Sequence, residues 1–424
     1  MRCWAALLVL SGWPLAAGAA QGCLQPVLER LGWQITEGPV TRVEIHGGDV
    51  CTRADLAAAH AAGDLRVQIP MGTPAPVRET VLQALLRHPA THCAYSMQLG
   101  QAARRAAQAL QDNPDYRFSG LQLGWIGFGA AGAGAQGWQR THAFGRGFRP
   151  SESNSQALQA FYTGRVRSEC GVGRQVAQLA TQRELFGDAL FDTAFTASEL
   201  SIGTFLTLHQ TDSILLGRHA GELQGDGKGV RAAAQGRQAF MGLPGFLEHA
   251  YGRETLDDLN NQAENFIVVD VGAAAADALR AQDGLTGYDQ RNATIWALSR
   301  QIPRRGVRFF ERLLSERDGA LRASLTPAER QIVARMDALL DDPFYQQFLI
   351  YVHPRGIKPI GAHVARLLDR NPRTPYVIEL AMNNLHTTLF ERWVQAQTGD
   401  CAAARAPSST GPDGAARPRP PTQR

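Results

Sequence analysis

The chain predicts an α+β protein: a short mixed sheet packed against several helices, with a helical C-terminal third. Three observations carry this. The run Asn265-Phe266-Ile267-Val268-Val269-Asp270-Val271 crowds β-favouring residues into one short segment, the mark of a central strand. The stretch 165–187, RVRSECGVGRQVAQLATQRELFG, repeats apolar residues at the period of a helix. Helical spacing then recurs at 288–299, 306–316 and 327–340, so the chain ends on helices.

At 424 residues the chain is long enough for two or three domains and can bury a sizeable core. Residues 1–20 have the outline of a signal peptide. Arg2 supplies the basic start, residues 4–15 the apolar stretch, and Ala17-Gly18-Ala19-Ala20 a small-residue cleavage site. A lipoprotein reading needs an aliphatic residue three before Cys23, where Ala20 stands. No later apolar run reaches bilayer-spanning length, so export to the periplasm or the medium is the expectation. Lys228 and Lys358 are the only lysines, and Ala and Gly are abundant, as in products of GC-rich bacterial genomes. A formal charge of +4 on this length makes no case for nucleic acid.

The remaining chain divides into an N-terminal α+β segment at 21–150, a main α+β domain at 151–400 and a disordered tail at 401–424. In the first, residues 26–31 make a short helix, 40–45 alternate like a strand, and 76–86 and 99–110 have helical spacing, ending at Asn113-Pro114. Residues 118–126 read as a strand entering Gly127-Phe128-Gly129-Ala130-Ala131-Gly132. That string fits G-x-G-x-x-G, but more Gly and Ala follow instead of a helix. It is read as a Gly/Ala loop, not a dinucleotide turn.

In the second segment, residues 151–163 form a helix capped by Ser153 or Asn154. Residues 200–208 and 212–216 look like two strands joined at 209–211, followed by a polar loop, 218–229. Residues 348–352 and 376–380 read as strands, 360–368 and 388–397 as helices. Thr326 and Glu329 form a capping box for 327–340. Asn292-Ala293-Thr294 is a glycosylation sequon in form, read as a polar helix surface. The tail is Pro, Ser, Gly and Arg without periodicity.

Chemistry centres on Cys170. Val172, Val176, Leu179 and Ala180 share one helical face, Gln175, Gln178, Gln182 and Arg183 the other, and Gly187 stops the helix. Cys170 therefore stands at the first turn, where unpaired N–H groups favour a thiolate and offer donors for an oxyanion. Glu169 opposes this if it points inward. Once Cys3 leaves with the signal, five cysteines remain: Cys23, Cys51, Cys93, Cys170 and Cys401. An odd number in an oxidising compartment leaves one over. Cys170 is the choice, and Cys401 the rival.

The Cys170 neighbourhood, a cysteine at a helix start with a histidine near a strand further along, resembles the papain-like superfamily, which includes transglutaminases and cell-wall amidases. The resemblance covers a helix and two strands. It implies thiol attack on an amide, by hydrolysis or by acyl transfer to an amine. Unlike papain, this chain has no Cys-Trp pair and no oxyanion glutamine just upstream. His219 is the first choice of base, with Glu222 or Asp226 to orient it from the same loop; His209 is second and His353 third.

Metal and cofactor chemistry find no motif: there is no H-E-x-x-H, no C-x-x-C, no EF-hand loop and no G-x-S-x-G. Arg304, Arg305, Arg308 and Arg312, and Arg366, Arg370 and Arg373 around Asp369, read as solvated faces with local ion pairs. Converging on one cleft, they would suit an anionic partner. The expected function is an exported cysteine amidase or acyltransferase acting on a peptide bond, a protein glutamine or a peptidoglycan peptide. The alternative is a non-enzymatic exported binding protein in which Cys170 is structural.

Overall fold

A computed structural model describes residues 24–45, 65–118, 136–141, 147–203, 211–216, 228–249, 264–380 and 387–403. The signal segment, the Gly127–Gly132 loop, His209, the loop carrying His219, Glu222 and Asp226, and the tail beyond Ala403 lie outside these residues.

The chain begins with α1 (Leu24–Arg30) and a three-stranded antiparallel sheet of β1 (Gln34–Thr36), β2 (Val40–Ile45) and β3 (Leu65–Pro70). Helices α2 (Ala75–Leu86) and α3 (Pro89–Asp112) follow, each with proline in its first turn, where the missing N–H costs nothing. α3 starts ten residues before the apolar spacing suggests, because His88 accepts the Ala90 N–H at 3.2 Å and caps it. Next come β4 (Tyr116–Phe118), β5 (Trp138–Arg140), β6 (Gly147–Pro150), α4 (Asn154–Thr163), β7 (Val166–Ser168), α5 (Cys170–Phe186), α6 (Asp188–Ala194) and β8 (Ile202–Gly203). Ser153 caps α4, and Gly187, at φ 75°, ends α5.

The second strand expected here, 212–216, is instead a 3₁₀ turn at Ile214–Leu216. Local hydroxyls capture the backbone: Thr211 Oγ1 accepts from Ser213 N–H, and Ser213 Oγ accepts from Leu215 N–H while donating to Ser201 C=O. Such bonds compete with a ladder.

The central sheet contains β9 (Pro244–His249), β10 (Glu264–Val271), β11 (Phe348–Val352), β12 (Gly356–Pro359) and β13 (Tyr376–Leu380), in the order β12-β11-β10-β9-β13 and antiparallel throughout. The strand at 265–271 is its middle member. The fold is α+β, with a separate parallel pair, β4 and β7. Helices α7 (Ala273–Ala281), α8 (Thr286–Ser299), α9 (Pro327–Leu340) and α10 (Ile360–Leu368) fill the C-terminal third, and α11 (Thr387–Ala403) closes it. The capping box of Thr326 and Glu329 is present on α9. Among the described residues no helix is long and apolar enough to cross a membrane.

The central sheet separates two apolar cores. Ile267, Val269 and Tyr351 face a core built with α3 and α5; Phe266, Val268, Ile350 and Val352 face one built with the C-terminal helices. Strand alternation sends successive side chains to opposite sides, so both faces are buried and the strand reads as an apolar run.

This burial corrects two expectations. The polar face of α5 is not solvated: Gln175, Gln178 and Gln182 are all interior. Gln175 itself is satisfied there, since its amide exchanges two 2.8 Å hydrogen bonds with the Gly203 backbone, as a strand would, whereas both polar atoms of the Gln182 amide are buried without a hydrogen-bond partner. Asn292 is also interior, at 2% exposure, and accepts the Tyr345 hydroxyl at 2.7 Å.

Candidate functional site around Cys170

α5 opens at Cys170 because Glu169 caps it. The Glu169 backbone is extended, and its carboxylate accepts the N–H of Gly171 at 2.5 Å and of Val172 at 2.7 Å. These are two of the donors a helix start leaves unpaired. Cys170 lies outside any disulfide and is of intermediate exposure. Asn265, second residue of β10, donates its Nδ2–H to the sulfur at 3.4 Å.

Two expectations about this helix start are corrected. The Gly171 and Val172 N–H groups are already satisfied by a carboxylate, so they do not stand ready for an oxyanion. The thiol is pushed up, not down: burial is the main cause and the Glu169 charge the next, while the Asn265 hydrogen bonds and the Arg370 charge pull the other way. A helix N-terminus attracts negative charge only until an anion occupies it.

One turn further on, Arg174 stacks over the Phe246 ring at 5.7 Å and donates to Gln178 Oε1 at 2.8 Å. Burial lowers its guanidinium to about 10. Gly173, between them, lets α5 approach the sheet: a Cβ there would stand 2.4 Å from the His353 Cβ.

His353, the third-choice base, follows β11 and is 2% exposed. Its ring stacks on Tyr116 at 3.9 Å, and its Nδ1 lies 3.4 Å from the Tyr351 hydroxyl. Burial pushes it down to about 4. It packs against the Cys170 helix as a neutral ring, too weak a base for chemistry near neutral pH. His219, Glu222 and Asp226 lie outside the described residues, so Cys170 is the predicted site residue whose surroundings are visible.

A second buried polar group occupies the far side of β10. Glu264 lies 2.8 Å from His363 Nδ1, pairs with Arg366, and lies 3.4 Å from Arg370. Burial drives His363 down to about 3, and the positive charges of Lys358 and Arg355 act in the same direction. Alternation puts Glu264 and Asn265 on opposite faces, so β10 connects this cluster to the Cys170 sulfur.

Arg366, Arg370 and Arg373 surround Asp369 in sequence, but Arg366 and Arg370 pair with Glu264. Asp369 instead accepts the N–H groups of Phe310 and Glu311, both at 3.0 Å, and caps the turn that follows. The other arginine group behaves as expected: Arg305 pairs with Glu329, Arg308 with Glu311 and Glu316, and Arg312 with Asp318. Sequence reasoning missed Asn265, Arg174 and Glu264. The signal for the first and third was two polar residues, Glu264-Asn265, leading directly into the most apolar strand of the chain.

No protein-family model matches the chain, and no curated protein or solved structure matches it.

Proposed function

We propose that this chain is an exported thiol enzyme acting on amides, with Cys170 as its nucleophile. The observation that carries the reading is the Asn265 amide aimed at the sulfur. A thiol serving only as core filler needs no donor, whereas a donor to sulfur favours the thiolate, the reactive form. The local resemblance to the papain-like superfamily supports the same chemistry.

In this reading Cys170 gives up its proton and Sγ attacks the amide carbonyl carbon. The C–N bond then breaks and the amine leaves with a proton. Water resolves the thioester in a hydrolase, an amine in an acyltransferase. The proton goes to His219, oriented by Glu222 or Asp226. A protein glutamine, a peptide bond and a peptidoglycan peptide stem are the substrate classes to assay.

The test is ammonia release from a glutamine-bearing protein, incorporation of a fluorescent primary amine, and cleavage of peptidoglycan peptides. Cys170→Ala should abolish the activity found and keep the melting temperature. An active Cys170→Ala variant sinks the proposal.

A second reading, a non-enzymatic exported binding protein with a structural cysteine, draws on the raised thiol and the occupied N–H groups. Iodoacetamide separates the two. A structural thiol stays unmodified until the protein is denatured, while a nucleophile is alkylated in the folded chain.

A further inference from the structure

We propose that Arg174 is the counter-ion of the Cys170 thiolate. The inference rests on reading Cys170 as the nucleophile, and it starts from a half-buried guanidinium, its Nε sealed from solvent, that lacks a contacting anion among the described residues.

Cys170 and Arg174 are four residues apart on α5, hence on the same edge of the helix. The sheet closes a ring around them. Asn265, which donates to the sulfur, stands directly across from Phe246 in the β10–β9 ladder, and the Phe246 ring seats the Arg174 guanidinium. Helix and strand pair thus hold sulfur and guanidinium in one compartment.

Among the described residues Arg174 makes no ion pair. Its hydrogen bond goes to the neutral amide of Gln178, and its Nε is buried with no acceptor. A charge partly withdrawn from water gains from an opposite one nearby. The other guanidinium groups acting on this region, Arg366 and Arg370, are both engaged with Glu264. Glu169 and Cys170 are the two groups whose negative forms act on Arg174. The Glu169 carboxylate is committed to the helix start, where it accepts two N–H groups. Glu248 and Glu379 share the Phe246 face by register. Of the groups around Arg174, the thiol is the one that becomes an anion when the enzyme is activated.

The arrangement explains how a thiol raised by burial and by Glu169 still reacts. Ionisation places a negative charge in the compartment of a guanidinium whose hydrogen bond goes to a neutral amide.

The experiment reads Cys170 alkylation by iodoacetamide in the folded full-length chain, across pH, by mass spectrometry of the Cys170 peptide. Arg174→Gln should slow the rate at pH 7 about tenfold, one pKa unit's worth, and Arg174→Lys should stay within about threefold of wild type. A natively melting Arg174→Gln protein alkylated within about twofold of wild type overturns the proposal. A second measurement needs no variant: the Arg174 Nε–H resonance should titrate with the alkylation midpoint and cease to titrate once Cys170 is alkylated. A resonance indifferent to both overturns the proposal as well. The two readings fail separately. An active Cys170→Ala variant removes the enzyme, while an alkylation rate blind to residue 174 removes only the counter-ion.

Discussion

Asn265 and Cys170 meet through an amide N–H and a sulfur 3.4 Å apart, across the contact between a central strand and the first residue of a helix. The pair joins the most strand-like segment of the chain to its most distinctive cysteine, 95 positions away in sequence.

Removing that donor should weaken the thiolate. With Asn265→Leu, burial and the Glu169 charge act on the thiol with less opposition, so its ionisation moves to higher pH. A lost hydrogen bond of about 1 kcal/mol corresponds to roughly fivefold slower alkylation at neutral pH. An unchanged pH–rate profile would show that the contact does not tune the sulfur.

Glu169→Gln should act in the opposite direction on the thiol and lower stability. Loss of the carboxylate charge lets Cys170 ionise at lower pH, because that charge is among the causes holding the thiol up. The weaker cap on Gly171 and Val172 should cost about 1 kcal/mol, visible as a lower melting temperature. A Glu169→Gln protein alkylated no faster than wild type would show that this charge does not hold the thiol up.

Gly173→Ala tests how closely α5 is seated. In an open helix interior the change stabilises by about 1 kcal/mol. Here the new Cβ would meet the His353 Cβ at 2.4 Å and Cγ at 2.8 Å, ring-root atoms that cannot swing aside. A net destabilisation of about 1–3 kcal/mol is expected from overpacking. A rise in melting temperature would contradict the packing.

His353 makes stability depend on pH. Its folded value, about 4, lies below the ~6.5 of an unfolded histidine. Between these values the unfolded chain binds the extra proton, so stability is full above about pH 6.5 and falls as pH drops toward 4. The slope from this residue approaches about 1.4 kcal/mol per pH unit. Denaturation midpoints across that window should flatten in His353→Phe by that share, and an unaltered slope would refute the assignment.

Much of the architecture was legible because it is local. The strand at 265–271, the helix from Cys170 to its Gly187 stop, and the Thr326–Glu329 cap each depend on residues within a few positions of one another. The 212–216 segment departs from the expected strand because hydroxyls at Thr211 and Ser213 redirect its backbone, an effect that apolar alternation does not register.

Periodicity and capping are encoded in neighbouring side chains, so the helix start at Cys170, the inner strand at 265–271 and the α+β class are all legible in the chain. Tertiary structure alone decided which faces are interior and what surrounds the sulfur. Gln175 is buried because Gly203 offers it a backbone edge, and Asn265 reaches Cys170 because α5 lies against β10. The ionisation of a thiol depends on charges and solvent in space, and those were set by residues far along the chain.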